Sequence, residues 1–232
     1  MHELVLALLL TTAAADELEQ VRAVAAGLFP DANPADVAVR PSALPDFYEV
    51  SLGTRVVYLS ADGEFLVDGP LYSLTSQQNL TALRQTEVRR ELVRDAPKVS
   101  SIVYPAKTAS AAEVTVVTNI NCTFCRQLHA QLDDYAAAGI ALRYVMLPSA
   151  GPQHYQTTAA LLCAADPAEA VTNVMLNRTP PAPAPACEHN LDDHVALAGQ
   201  LGAVSTPNLI LPNGELIQGY QTPAQLRERL GH

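Results

Sequence analysis

The chain has 232 residues, 49% hydrophobic and 16% charged, with 11 Gly, 17 Pro and no Trp. That balance excludes a disordered or fibrous chain, and the length accommodates one large or two small domains. The 14 Lys and Arg against 24 Asp and Glu give a net charge of −10, leaving no basic footprint for nucleic acid and no basic face for anionic lipid.

Leu4 to Leu10 form an apolar run of 7 residues, followed by Thr11-Thr12-Ala13-Ala14-Ala15 and the polar Asp16-Glu17. The run is far short of the about twenty residues a spanning helix needs. The small residues fit a signal peptide (1–15) cleaved after Ala15, although the leading residues offer His2 and Glu3 rather than Lys or Arg. Asp16 to Phe29 has helical spacing, with Leu18, Val21, Val24, Ala25 and Leu28 on one stripe and Pro30 and Pro34 beyond it. From Val37 to Val67 the period becomes two: Tyr48, Val50 and Leu52 alternate, then Val57 and Leu59, then Phe65 and Val67 after the turn signal Asp62-Gly63. Residues 16–75 therefore read as a small helix-plus-antiparallel-sheet domain. Such a domain is marginal alone, and an exposed sheet edge invites pairing, which points to a homodimer.

Ser76 to Asp95 is polar and rich in helix formers, and residues 76–98 read as a solvated linking helix in which arginines alternate with Glu87 and Glu91. From residue 99 to 232, strand and helix alternate. Glu113–Thr118 is a buried strand, Cys122–Ala138 a helix closed by Gly139, and Ile140–Leu147 a strand. Gln153–Met175 is broken helix restarting at Asp166-Pro167, Leu191–Leu201 is helix, and Asn208–Leu211 and Leu216–Gln218 flank Pro212-Asn213-Gly214. A last helix, Pro223–Leu230, opens with Thr222 as N-cap. The expected class is α+β: a small helix-and-sheet domain, a helical linker and an α/β domain with inserted helices.

The chemistry-bearing motif is Cys122-Thr123-Phe124-Cys125, placed after a strand and at the opening of a helix. Both sulfurs then sit on the first turn, where unpaired N–H groups and the helix dipole favour an anion. Cys122, at the very end, gains most, and Cys125 lies a turn inward, so one thiolate attacks and the other resolves. Haem attachment requires His after the second Cys, where Arg126 stands. Structural zinc requires a second ligand pair, but Cys163 and Cys187 stand singly, and His129 reads as the polar end of a helix face. No metal and no other cofactor is expected. Thr206-Pro207 enters a strand; from spacing alone it reads as a strand-initiating proline, with a cis bond as the alternative.

Taken together, the chain resembles the periplasmic thiol:disulfide interchange proteins of the DsbC/DsbG family. The likeness is densest at Asp68-Gly69-Pro70-Leu71-Tyr72, at Cys122–Cys125 with Leu128-His129, at Val204-Ser205-Thr206-Pro207, and from Pro212-Asn213-Gly214 to Gly219-Tyr220-Gln221. The resemblance implies a thioredoxin-like fold, a cis bond before Pro207 with its loop beside Cys122, and a homodimer joined through the N-terminal domains near Gly69. It implies that Cys122 and Cys125 are catalytic, that Thr206 and Pro207 hold substrate, and that Cys163 and Cys187 form a structural disulfide. The implied partners are misfolded disulfide-containing secreted proteins and a DsbD-like membrane reductase that keeps the thiols reduced.

Two departures stand out. Family members read Phe-Thr-Asp where this chain has Val117-Thr118-Asn119, and losing that carboxylate should ease ionisation of Cys122. Thr123-Phe124 replaces a Gly-Tyr, which leaves the redox potential open. The expected activity is disulfide isomerisation and reduction, against two alternatives: a DsbA-like dithiol oxidase, and a DsbG-like holdase chaperone.

Overall fold

The computed structural model describes residues 18–108, 112–178 and 187–231. The proposed signal peptide and the Pro-rich stretch 180–185 lie outside the described residues. The chain divides into two compact units, the first ending at Gln85 and the second beginning at Thr86. That division falls inside a single helix.

In the first unit, helix α1 (residues 18–28) lays Val21, Val24 and Ala25 against a four-stranded antiparallel sheet. The sheet runs in order β1 (Val37–Pro41), β2 (Phe47–Leu52), β3 (Arg55–Ser60) and β4 (Leu66–Val67). The alternating residues face inward as the period requires: Val50, Val57 and Leu59 close the core with Phe29. Phe65, Leu66 and Val67 do not, and lie exposed on the edge strand. A short hairpin, β5 (Tyr72–Ser73) with β6 (Gln78–Asn79), then leads into α2 (Leu80–Val99). The polar stretch from Ser76 is thus a turn and a strand before it is a helix. Gln77 takes a positive φ of 55°, and the Asn79 side chain accepts the Ala82 N–H at 2.9 Å, so the helix starts at Leu80. Its first turn is tied to the sheet by Tyr58 and Thr81, whose hydroxyls are 2.6 Å apart, and by Arg84, 3.0 Å from the buried Glu49 carboxylate.

The second unit is built on a five-stranded sheet ordered β11 (Leu216–Gln218), β10 (Asn208–Ile210), β8 (Ala112–Thr118), β9 (Ile140–Met146) and β7 (Val103–Tyr104). β8 and β9 are parallel, with Val114 opposite Leu142 and Thr118 opposite Met146, and the other pairs are antiparallel. The central strand is covered on both faces, which is why its residues 114–118 are valine and threonine throughout, with valines on either face, rather than an apolar–charged alternation. Val114 and Val116 pack with α3 (Thr123–His129), α5 (Pro152–Leu162) and α6 (Pro167–Met175). On the other face Val117 packs with Ala96 of α2 and with Leu197 and Ala198 of α7 (Leu191–Gln200). A final helix, α8 (Pro223–Arg229), opens with a Thr222–Gln225 capping box.

The helix expected over Cys122–Ala138 is two helices. α3 closes at Ala130, and α4 (Leu132–Ala137) begins after Gln131, whose backbone (φ −110°, ψ 20°) leaves the helical region. The Gln131 side chain accepts the Tyr220 hydroxyl at 2.9 Å, a tertiary contact with no local sequence signal.

Candidate active site

Cys122 is the N-cap of α3. Its Sγ accepts the Cys125 N–H at 3.3 Å, the bond a Ser or Asp makes at ordinary caps, here made by sulfur. The segment before it is fixed by Asn119, whose Oδ1 accepts the Asn121 N–H at 2.8 Å while its Nδ2 donates to Ser149 at 3.0 Å. On the other side lies the loop before β10. The Cys122 thiol is 3.4 Å from the Thr206 carbonyl oxygen, and the Thr206–Pro207 peptide bond is cis. Asn208 braces that loop by donating to the Ser205 carbonyl at 2.8 Å, and Gly219 N–H donates to the Pro207 carbonyl at 2.8 Å.

The two sulfurs differ sharply in environment. Partial burial works against ionising Cys122, but hydrogen bonds from the Cys125 thiol, the Cys125 N–H, the Thr206 side chain and the Phe124 N–H outweigh it and hold its pKa below the ordinary cysteine value. Cys125 is fully buried, and that burial pushes its thiol up to about 11, reinforced by the neighbouring Cys122; Thr118 and the Asn119 N–H only partly oppose this. Both cysteines are free thiols. At neutral pH one sulfur is accessible and prone to ionise, and its neighbour is shielded and protonated. Such a pair can form a mixed disulfide at Cys122 and close a bond to Cys125.

Three surroundings were not legible. Arg126, the residue that excluded haem attachment, clamps carbonyls: it donates to Ile120 at 2.9 Å, Val174 at 2.9 Å and Met175 at 3.0 Å, holding α3 to the end of α6. These carbonyls lie up to 49 residues along the chain, so nothing beside Arg126 in sequence signalled the clamp. His129 is buried, and its Nδ1 meets the Tyr144 hydroxyl at 3.2 Å, with Tyr104 edge-on at 5.2 Å between ring centres. Phe124 and Val204, by contrast, stand 60% and 83% exposed, so apolar side chains flank the reactive sulfur rather than entering the core.

Cys163, at the end of α5, and Cys187 are joined by a disulfide. Gly69 follows β4, and lines a shallow cavity with Arg55, Asp68, Pro70 and Thr81. Among the described residues, no cluster of His, Cys, Asp and Glu could hold a metal ion. Nor is any described helix long and apolar enough to cross a membrane.

Comparison with known proteins agrees with this geometry. Residues 11–82 match the family described as disulfide bond isomerase protein N-terminal domain, and residues 104–232 match a thioredoxin-like domain. The thiol:disulfide interchange protein DsbC of Escherichia coli strain K12 is 32% identical over 194 residues, 83% of this chain and 80% of that protein. The chain belongs to the DsbC family. DsbC of Haemophilus influenzae is 30% identical over 85% of each chain. Among solved structures, a disulfide interchange protein from Neisseria gonorrhoeae superposes with a TM-score of 0.50 at 26% identity, covering 58% of this chain and 94% of that one. The DsbC-family chemistry is thiol:disulfide interchange, and the architecture is a helix-and-sheet N-terminal domain followed by a thioredoxin-like α/β domain.

Proposed function

We propose that the protein is a homodimeric periplasmic disulfide isomerase and reductase that reshuffles wrong disulfides in secreted proteins. The observation that carries this reading is the asymmetry of the pair: Cys122 caps α3 with its acidity raised, while Cys125 is buried and protonated. The Cys122 thiolate attacks a substrate disulfide, forming a mixed disulfide and releasing one substrate thiolate. A second substrate thiol displaces Cys122 to give isomerisation, or Cys125 displaces the substrate to give reduction. Thr206 and Pro207, beside Cys122, hold the substrate backbone in strand-like pairing, and exposed Phe124 and Val204 favour clients with apolar residues near their cysteines.

In this reading residues 1–15 direct export, 16–75 form the dimerisation domain, 76–98 the linker and 99–232 the catalytic domain. The exposed apolar edge Phe65–Val67 next to Gly69 supports pairing of two copies there, since an unpaired strand edge is a template for another chain. The Cys163–Cys187 bond is structural. A DsbD-like membrane reductase returns the pair to the dithiol.

The test is reactivation of scrambled ribonuclease by the pre-reduced protein without added oxidant, alongside Cys122→Ser and sedimentation. Recovery that vanishes in the Ser variant, with the dimer intact, is expected. Undiminished recovery in that variant would sink the assignment to Cys122 and favour a holdase. A monomer that rapidly oxidises a dithiol peptide but recovers no ribonuclease would favour an oxidase.

A further inference from the structure

Reduction through Cys125 has an electrostatic difficulty that follows from its burial. As the step proceeds, the Cys125 sulfur must carry negative charge where no water reaches it, and burial opposes exactly that charge. Something buried must meet it. Thr118 and the Asn119 N–H lie on one side of the thiol. One helical turn further along α3 stands His129, 1% exposed, whose Nε2 has no hydrogen-bond partner among the described residues.

The ring's hydrogen can be placed. Tyr144 is fully buried, and its hydroxyl meets His129 Nδ1 at 3.2 Å. Burial keeps that phenol protonated, and a buried O–H donates where an acceptor is in reach. Nδ1 therefore accepts, and Nε2 carries the ring N–H. The imidazole stays neutral, because burial, with Arg126 and Arg178 adding their positive charge, pushes it down to about 4. Tyr104 closes the cluster edge-on at 5.2 Å and brings no charge to it. A helical side chain leans back over the residues three and four positions before it, which for His129 are Arg126 and Cys125. Arg126 is already committed to three carbonyls and Asn177. An unpaired buried donor is a standing cost to the fold, of the kind retained where a charge appears during function.

We propose that His129, held in one tautomer by Tyr144, donates its Nε2 hydrogen to the Cys125 sulfur as charge develops there, and so speeds resolution of the mixed disulfide. The inference deepens the proposed function and rests on it. In the step itself, the Cys125 sulfur attacks Cys122 Sγ, the bond from Cys122 to the substrate sulfur breaks, and the Cys122–Cys125 bond forms. The two protein cysteines are oxidised, the substrate sulfur is reduced, and the proton lost by Cys125 ends on the departing substrate thiol. His129 keeps its hydrogen throughout.

The experiment uses the full-length protein with His129→Leu, which removes the donor, His129→Gln, which restores one, and Tyr144→Phe, which frees the tautomer. Near-ultraviolet circular dichroism checks folding. Two rates are read: alkylation of Cys122 against pH, and single-turnover release of a peptide held on Cys122 as a mixed disulfide. A hydrogen bond to a charged group sets the expected scale, so release slows roughly ten- to a hundred-fold in His129→Leu while Cys122 alkylation stays within about twofold. Gln recovers most of the rate, and Tyr144→Phe falls between. Unchanged release in folded His129→Leu overturns the inference, as does a parallel loss in both rates, the signature of a merely structural role. If His129→Leu does not fold, Gln and Tyr144→Phe carry the test, and a Tyr144→Phe release rate equal to the unaltered protein's overturns it. Failure of any mixed disulfide to form at Cys122 in the unaltered protein overturns the proposed exchange and this inference together.

Discussion

Gly214→Ala should destabilise the catalytic unit far more than Gly219→Ala, although both glycines hold similar positive φ, +89° and +85°. Each substitution places an L-residue in the left-handed region, at about 1 kcal/mol. At Gly219 that is the whole effect, because an added Cβ meets nothing within 4 Å. At Gly214 the added carbon runs into the Thr86 carbonyl oxygen and lies 2.8 Å from the Arg90 amide nitrogen, both backbone atoms of α2. Backbone cannot swing aside as a flexible side chain can, so turn and helix must separate. Separation loosens the packing of Leu92, Val93 and Ala96 against Leu197, Leu201 and Ile210. Overpacking of this kind adds about 1–3 kcal/mol, and the upper end applies because the obstacle is main chain. The expected losses are about 1 kcal/mol for Gly219→Ala and about 3–4 kcal/mol for Gly214→Ala. Urea denaturation followed by circular dichroism measures both, the chain having no Trp to report. Two variants within 1 kcal/mol of each other, at equal m-values, would refute the claim that the turn bears on α2.

Asn119→Asp places a carboxylate in the segment that leads into Cys122, and like charge should raise the thiol's pKa by about one unit; ultraviolet absorbance of the thiolate against pH measures it, and a fall would contradict the reasoning. Replacing Cys163 and Cys187 by Ala opens a loop of sequence separation 24 and should cost about 3 kcal/mol in the same urea assay, with Cys122 alkylation unaltered. His194 is buried on α7 and accepts the Met146 N–H at 3.0 Å; burial pushes it down to about 4. Its folded form thus binds fewer protons than the unfolded chain between pH 6.5 and about 4, so stability is present above that window and is lost as pH falls through it, by up to about 3 kcal/mol from this group. His194→Gln should flatten that acid limb, and an unchanged slope would show that His194 does not titrate there.

Much of the second unit is legible because its signals are local. The valine- and threonine-rich run 114–118, the glycine after α4, and the Thr222-Pro223 opening each act over a few residues, and the strands and helices fall where they indicate. What stays hidden depends on partners far along the chain. Nothing near Gln131 announces a helix break, and the partner of its side chain there, the Tyr220 hydroxyl, lies 89 residues away. The polar residues after Ser76 satisfy a helical pattern, yet Gln78 and Asn79 pair with Tyr72 and Ser73 first. His129 reads as the polar end of a helix face, and only Tyr144, on β9, shows that it faces inward. The cysteine motif identifies the reactive sulfur, but the contrast between Cys122 and Cys125 comes from the loop around Thr206 and from packing that no spacing encodes.

That loop is reached through 84 residues of chain, yet its position beside Cys122 is decided by three ladder partners, Asn208 with Val117, Leu209 with Val116 and Ile210 with Thr115. The address of the site is therefore written across the sheet and not along the chain. Between β9 and β10 the polypeptide can lengthen, shorten or acquire another helix, and the sulfur still meets the same carbonyl so long as those pairs stay in step. A slip of one residue in β10 does the opposite, turning every side chain of that strand to the wrong face and withdrawing Thr206 from Cys122 with no change in length at all.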